Sequence, residues 1–321
     1  MTTQPHHTEL AANDETLLEV FRLAEASNDR ELATAIGSAL ANRWMKDSRF
    51  QETIALVSRL LILQVTPLVL NYTGQAHNEL GDRQAALAYF EQALPLTRAV
   101  GDLNGEAATL NNIGSVHNAL GDRQTALAYF EQALPLTRAV GDRAGEATTL
   151  SNIGRIHNAL GDRQAALAYF EQALRQQRAV GDRAGEAATL SNIGFVHDAL
   201  GDRQAALAYF EQALPLHRAV GDRAGEAATL SNIGRIHNAL GDRQAALAYF
   251  EQALPLHRAV GDRAGEATTR YNIAAVRAAS GDLAGAIAQM EIVVDLDGAI
   301  GHPDLAADQQ VLDQYRRQAS S

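Results

Sequence analysis

One histidine recurs at the same place in five copies of a repeated text, and histidine is the side chain best suited to binding a metal or titrating near neutral pH. The five are His77, His117, His157, His197 and His237. A metal site requires two or three imidazole nitrogens about 2 Å from one ion. Each copy supplies one histidine at this place, on helices expected to lie about 8–10 Å apart or more. The pattern therefore favours packing, and a metal-binding, hydrolytic or pH-dependent site is the alternative.

The acidic, hydroxyl and glycine residues do not form a catalytic pattern. Asp122 and its copies stand where helices begin, so helix capping accounts for them. Glu131 recurs in every copy, whereas a catalytic site is normally unique. Ser151 and His157 lie six residues apart, on different faces of one helix, and no glycine-rich phosphate loop occurs. We therefore expect a protein that is not an enzyme and that uses no cofactor and no metal.

These residues belong to a text that recurs every forty residues. Gly201–Ala227 reappears without change as Gly241–Ala267, and closely similar text begins at Gly81, Gly121 and Gly161. A fixed period of this kind is typical of a stack of supersecondary units. Such a stack presents a long surface that is suited to holding another molecule.

Each copy contains two apolar stripes with helical spacing. The first stripe is Leu150, Ile153, Gly154 and His157, and the second is Ala166, Leu167, Phe170, Ala173 and Leu174. Between them, Gly161 can end one helix in the left-handed conformation and Asp162 can cap the next. Each unit is therefore predicted to be a helix, a tight turn and an antiparallel helix.

The same positions resemble the tetratricopeptide signature of large residue, Leu-Gly, aromatic, Ala, aromatic and Ala. Here they are Leu150, Ile153-Gly154, His157, Ala166, Phe170 and Ala173, with equivalent sets starting at Leu70, Leu110, Leu190 and Leu230. The proline of the signature is displaced to Pro95, Pro135, Pro215 and Pro255, and Arg175 replaces it once. The period also exceeds the common unit of about 34 residues. In both respects the chain resembles the extended repeats of kinesin light chains and bacterial multi-repeat adaptors.

The resemblance implies an all-α, right-handed α-solenoid of antiparallel helix pairs, with about seven pairs and terminal capping helices. We expect residues 1–13 to be disordered, residues 14–65 to form an N-terminal cap and a degenerate pair, residues 66–300 to form the array, and residues 301–321 to form a C-terminal capping helix. Pro135 lies inside a second helix by pattern, where we expect a kink, with a local break as the alternative.

Composition limits the partners. The 321 residues carry a net charge of −11, which argues against a nucleic-acid or anionic-membrane surface. Cysteine is absent, so disulfides are excluded. No signal peptide and no apolar run long enough to span a membrane is recognisable, so a cytoplasmic location is expected.

A few first-helix positions vary among copies that otherwise agree. They are Gln75, Ser115, Arg155, Phe195, Arg235 and Ala275, and, three residues later, Asn78, Asn118, Asn158, Asp198 and Asn238. Helical geometry puts both sets on one face, and Asn71, Asn111, Ser151, Ser191, Ser231 and Tyr271 precede them on the same line. In tetratricopeptide proteins the corresponding face lines the concave groove that takes ligands. Neutral drift, or a pair between Asp198 and Arg155 or Arg235, is the alternative explanation.

The predicted function is a non-catalytic protein–protein interaction scaffold or adaptor of bacterial type that binds a peptide segment or helix of a partner. The predicted groove residues are Asn112, Ser115, Asn152, Arg155, Asn158, Asn192, Phe195, Asp198, Asn232, Arg235 and Asn238. Phe195 between Arg155 and Arg235 suggests a ligand with an apolar anchor flanked by acidic residues. The alternative is a sensor array of a STAND-type NTPase or caspase-like protease system, which would require further sequence at one end.

Overall fold

The computed structural model describes the backbone of residues 5–320 and the side chains of residues 14–320. These residues form sixteen α-helices, and no strand occurs among them. The predicted fold class, an all-α solenoid of helix pairs, is confirmed, and sixteen helices are the number that seven pairs and two capping helices require. The chain divides into two compact units, residues 1–160 and residues 161–321.

The first unit contains eight helices joined by short turns. They are α1 (Pro5–Ala26), α2 (Arg30–Lys46), α3 (Phe50–Leu63), α4 (Pro67–Glu79), α5 (Arg83–Val100), α6 (Leu103–Ala119), α7 (Arg123–Ala139) and α8 (Arg143–Ala159). Helix α1 begins inside the segment 1–13 that the sequence analysis expects to be disordered, and residues 1–4 of that segment lie outside the described residues. The predicted degenerate pair corresponds to α2 and α3.

The second unit also contains eight helices. They are α9 (Arg163–Val180), α10 (Arg183–Ala199), α11 (Arg203–Val220), α12 (Arg223–Ala239), α13 (Arg243–Ala259), α14 (Arg263–Ala279), α15 (Leu283–Ile300) and α16 (Leu305–Ala319). Helix α16 is the predicted C-terminal helix. Its Leu312 is buried with Met290 and Val293 of α15, so the last pair has an apolar cover.

The Gly-Asp pairs end one helix and begin the next, as the sequence predicts. Gly161 has a φ of 88°, a left-handed conformation that costs glycine nothing. The carboxylate of Asp162 accepts a hydrogen bond from the backbone N–H of Ala165 at 3.1 Å, which satisfies one donor of the first turn of α9. Because both residues recur, the helix limits recur with them.

Small residues on the first helices face large ones on the second helices. A Cβ atom added to Gly194 would lie 2.9 Å from Cε1 of Phe210, and one added to Gly114 would lie 2.8 Å from the same atom of Phe130. Both phenylalanine side chains are buried. Glycine therefore allows each pair of helices to approach closely, and phenylalanine fills the space beside it.

The second helices continue through their prolines. Pro95, Pro135, Pro215 and Pro255 all lie inside helices of 17 or 18 residues. The alternative of a break before Pro135 is therefore wrong. Because the flanking apolar positions keep their spacing, tertiary packing outweighs the lost backbone hydrogen bond.

Candidate functional site

The predicted groove residues lie on the C-terminal halves of the first helices. In the first unit, Ser115 and Arg155 are exposed, whereas Asn112, Asn152 and Asn158 are half-buried. Each of these helices buries the neighbouring apolar stripe, and the face beside that stripe remains open. Side chains of this kind can bind a ligand without changing the packing of the repeat.

Two cavities in the first unit follow this line of residues. The larger has a volume of about 450 Å³ and is lined by Gln75, Asn78, Asn112 and Ser115, with Met45, Ser48, Phe50, Glu79 and Phe90. The smaller has a volume of about 170 Å³ and is lined by Ser115, Asn118, Asn152 and Arg155, with Ala119 and Phe130. Ser115 lines both cavities. Amide and hydroxyl groups thus surround an aromatic floor, which suits a polypeptide with a mixed surface.

Asn112 illustrates what this line offers to a ligand. Its Nδ2 atom is buried and has no hydrogen-bond partner among the described residues. A buried donor without a partner carries an unmet desolvation cost. An acceptor that reached Nδ2, such as a peptide carbonyl oxygen, would remove that cost.

In the second unit, the predicted groove residues make contacts within the protein. Phe195 is 43% exposed, and its ring meets that of Phe210 edge-on, with centroids 5.4 Å apart. Arg235 donates to Asp198, with Nη2 and Oδ2 at 2.7 Å. The pairing that the sequence analysis gave as an alternative for Arg235 is therefore present. Asn192 and Asn232 are half-buried and Asn238 is exposed.

The recurring histidines pack on tyrosine rings. His77, His117, His197 and His237 stack on Tyr89, Tyr129, Tyr209 and Tyr249, with ring centroids 5.3 to 5.6 Å apart. Their Nδ1 atoms lie 3.4 to 3.8 Å from the aspartate that caps the next helix. Among the described residues, no group of three or more histidine, cysteine, aspartate or glutamate side chains could hold a metal ion. Packing thus accounts for these four.

Three residues of the line that precedes the groove, Asn71, Asn111 and Ser231, contact the next repeat, which the sequence analysis did not predict. Asn71 is buried, and its Nδ2 donates to Oγ1 of Thr109 on the next first helix at 2.8 Å. Asn111 bonds with Thr149 in the same way. Ser231 lies 3.0 Å from Thr269. These polar side chains join successive repeats, because buried polar groups are stable only when they are paired.

A buried polar position on the second helices was missed by the sequence analysis. It is occupied by Thr97, Thr137, Gln177, His217, His257 and Asp297. The residue varies among copies, yet every one is at most 4% exposed. The residue at this position changes together with one residue on the first helix of the same pair. Where the first helix has asparagine the second has threonine, and where the first helix has serine the second has glutamine or histidine. That paired change in size was the available signal of contact.

Two of these positions form a serine–histidine–aspartate arrangement. Nε2 of His217 lies 3.3 Å from Oγ of Ser191, and its Nδ1 lies 2.8 Å from Oδ2 of Asp222. The same contacts join Ser231, His257 and Asp262. The resemblance to a nucleophile and its base is superficial, because the imidazole is buried and the aspartate caps a helix through Gly225. The arrangement instead links three helices.

The pKa shifts in this part of the structure have local structural causes. Hydrogen bonds from Thr125 hold the pKa of the Asp122 carboxyl below its usual value, because the helix cap stabilises the charged form. Burial raises the pKa of the Tyr72 phenol. Neither shift marks a catalytic acid or base. No helix in the described part of the chain is both long and apolar enough to cross a membrane.

A family model described as tetratricopeptide repeat matches four stretches of the chain, residues 65–139, 105–179, 145–219 and 225–297, of which the first three overlap. No curated protein sequence matches the chain. Several solved structures share its fold.

A STAND protein of Pyrococcus horikoshii with a tetratricopeptide repeat sensor has a TM-score of 0.71 and 14% identity, over 99% of this chain and 54% of that one. A Rap protein complexed with Competence and Sporulation Factor has a TM-score of 0.60 and 13% identity, over 98% and 99%. A putative kinesin light chain of Podosopora anserina with nearly identical repeats has a TM-score of 0.50 and 18% identity, over 60% and 95%. At these identities the likeness shows the fold alone.

Proposed function

Because the chain belongs to the tetratricopeptide repeat family, we propose that it is a non-catalytic interaction scaffold that binds a peptide segment or helix of a partner protein. The ligand lies along the face of the first helices that carries the predicted groove residues. The tetratricopeptide fold fits such a role, since a stack of repeats presents one long surface. The Rap protein, whose structure was solved with a bound factor, supports ligand binding on this fold.

The observation that carries the proposal is the pair of cavities in the first unit. Ser115 lines both cavities, Asn112 lines the larger one, and Asn152 and Arg155 line the smaller one. Side-chain amides can donate to and accept from a peptide backbone at once. Arg155 is an exposed cation there and suits a ligand carboxylate.

The second unit offers an apolar anchor point. Phe195 leaves a large part of its ring exposed, although the other copies carry glutamine, serine, arginine or alanine at the same position. An apolar ligand side chain would cover that ring. The guanidinium of Arg235 would have to leave Asp198 to reach a ligand carboxylate, so within this unit the apolar contact at Phe195 is better supported than an acidic flank of the ligand.

A sensor array within a larger signalling protein is the second candidate. It is supported by the likeness to the STAND protein, whose chain is about half covered by this one. Both candidates use the same face for recognition, and they differ in whether ligand binding controls an attached domain.

Capture and titration test the proposal. Photo-cross-linking of the whole chain, with the cross-linker at residue 115, identifies the partner peptide by mass spectrometry. Titration calorimetry then compares the wild type with the double variant Asn112→Ala and Asn152→Ala. We expect the double variant to weaken binding by roughly 1–3 kcal/mol, because two ligand hydrogen bonds are lost.

The matched control is Gln132→Ala, which removes an exposed amide from second helix α7, where it bonds only to its own backbone. This variant should bind with the affinity of the wild type. If the double variant also binds with wild-type affinity, the ligand lies elsewhere and the proposed groove is wrong.

A further inference from the structure

The last helix pair lacks a cation that every earlier copy supplies. In five copies an arginine near the end of a second helix donates from Nε to a glutamate in the next first helix, at 2.6 to 2.8 Å. The pairs are Arg98–Glu106, Arg138–Glu146, Arg178–Glu186, Arg218–Glu226 and Arg258–Glu266. In the last copy Gly298 stands in the place of the arginine and Ala306 in the place of the glutamate, and the acid of α16 is Asp308, two residues later and four residues after the N-cap Asp304.

A second pairing is also incomplete at this end of the chain. Asp297 occupies the position of His217 and His257, and His302 follows it five residues later, where those histidines have an aspartate. The acid and the base have therefore exchanged places. The Nδ1 atom of His302 accepts a hydrogen bond from the backbone N–H of Asp304 at 3.3 Å, so this nitrogen serves the turn. Asp297 is only 3% exposed, and no cation is paired with it among the described residues.

The two aspartates face a cavity. It has a volume of about 290 Å³ and is lined by Asp297, Asp304, Asp308, His302, Tyr271, Thr268, Val293, Val311, Ala264, Ala267 and Ala307. Asp308 is 9% exposed, and the lining includes neither arginine nor lysine. Gly298 follows Asp297 directly, and a Cβ atom added to it would meet nothing within 4 Å, so a side chain can be introduced there.

Buried carboxylates without a cation are costly, and apolar walls beside them favour an organic ion over a hydrated metal ion. A guanidinium group is also the cation that the other copies place against an acid in the first turn of the next helix. It is planar, is weakly hydrated, and can donate two parallel hydrogen bonds to a carboxylate.

We propose that the cavity between α14, α15 and α16 binds a monoalkylguanidinium group, which Asp308 and Asp297 hold while its alkyl chain lies against Val293 and Val311. The ligand group is either an arginine side chain of a partner polypeptide or a free small guanidinium compound. Both present the same cation and the same short alkyl chain to the site.

Titration calorimetry with n-butylguanidinium on the full chain near neutral pH tests the site. We expect saturable binding with one site per chain. Asp308→Asn should weaken it at least about ten-fold, because a charged hydrogen bond is replaced by a neutral one. The matched control Asp295→Asn removes the same charge from an exposed position of the same helix as Asp297 and should leave binding unchanged.

Gly298→Arg is the sharpest variant, because it supplies the missing cation from within the chain. It should abolish binding of n-butylguanidinium, whereas Gly298→Ala should keep it. Binding should also strengthen as pH rises through about 6, because burial and the neighbouring Asp297 raise the pKa of Asp308 to about 6 and the cation requires the ionised form. Tyr271, Asp297, Asp304 and His302 are the other titratable groups that face Asp308.

Two further probes separate the sources of the ligand. An acetyl-Gly-Arg-Gly-amide peptide that binds more tightly than n-butylguanidinium supports a partner polypeptide, and weaker binding supports a free compound. Absence of saturable binding by both probes would overturn the proposal. So would equal binding by n-butylammonium, or full binding by Gly298→Arg.

Discussion

Two regions of the second unit satisfy their buried polar groups differently. Helices α10–α13 are called the regular region here, and helices α14–α16 the terminal region. In the first region, His217 contacts both Ser191 and Asp222, and Arg218 pairs with Glu226. In the second region, the equivalent Asp297 lies beside Asp308, and no arginine or lysine lines the cavity that they share. The same fold therefore tolerates a complete and an incomplete set of polar partners.

The difference shows which contacts determine the fold of a repeat and which can differ between repeats. Gly-Asp turns persist to the start of α15, and a left-handed glycine, Gly301, still ends that helix, so the helix limits do not depend on the polar partners. A missing partner leaves a cost, because buried charges are stable only when they are paired. A buried charged side chain can lose its partner within the protein at little cost only where a ligand or the solvent pairs with it instead.

The largest expected effect is on packing in the regular region. A Cβ atom at Gly234 would lie 2.8 Å from Phe250 and 3.1 Å from the backbone oxygen of Ala246, which cannot move aside. Gly234→Val should therefore lower the free energy of unfolding by about 3 kcal/mol, the upper end for overpacking. Thermal unfolding measures it.

The control for this variant is Gly298→Val in the terminal region, where an added Cβ atom meets nothing within 4 Å. This change should not lower the melting midpoint. Equal losses in both variants would mean that the close approach to phenylalanine is not what limits the first helices.

The second effect concerns the buried histidine. His217→Ala should lower the free energy of unfolding by about 2 kcal/mol, because Ser191 and Asp222 lose a buried partner. His237→Ala, which removes a half-buried ring from its stack on Tyr249, should cost less. Denaturant unfolding compares the two, and a larger loss for His237→Ala would contradict the assigned roles.

Much of the fold of the repeats could be predicted from sequence, because helix limits and buried faces depend on residues close together in the chain. Gly161 and Asp162 fix a turn wherever they occur, and helical spacing identifies the buried side of Phe170. Contacts between repeats were harder to predict. Helical geometry assigns Ser191 to the same helix face as Phe195, yet its partner His217 lies on another helix, which spacing along one helix cannot reveal.

The predicted site was recovered unevenly for the same reason. Exposure of Ser115 and Arg155 follows from helix geometry, and the structure places both at a cavity. The pairing of Arg235 with Asp198 depends on the distance between two first helices, which the sequence left open. The C-terminal cavity could not be predicted from its own residues, because its relevant feature is that Gly298 replaces an arginine. Such a replacement is visible only by comparison with the other copies.

The third effect is a pH dependence confined to the terminal region. Burial first, and Asp297 second, raise the pKa of Asp308 from 3.8 to about 6. A raised carboxyl pKa stabilises the native state at low pH, and this stability is lost as pH rises through about 6. Hydrogen exchange of the α16 amides should therefore show about 1–2 kcal/mol less protection near pH 7 than near pH 4.5. In Asp308→Asn this change should be absent, and its persistence would assign it to another group.

The smallest expected effects are changes in stability when one arginine is removed from the regular region and one is added to the terminal region. Arg218 and Glu226 form a half-exposed pair, so Arg218→Gln should cost at most about 1 kcal/mol. Gly298→Arg should stabilise α16 relative to Gly298→Gln, which has a similar helix propensity and no charge. We expect this gain to exceed the cost of Arg218→Gln, because Asp308 is more buried than Glu226 and its pairing is screened less by water. Melting curves of the four proteins measure both differences. Equal stability of Gly298→Arg and Gly298→Gln would mean that Asp308 does not lack the cation that the other copies supply.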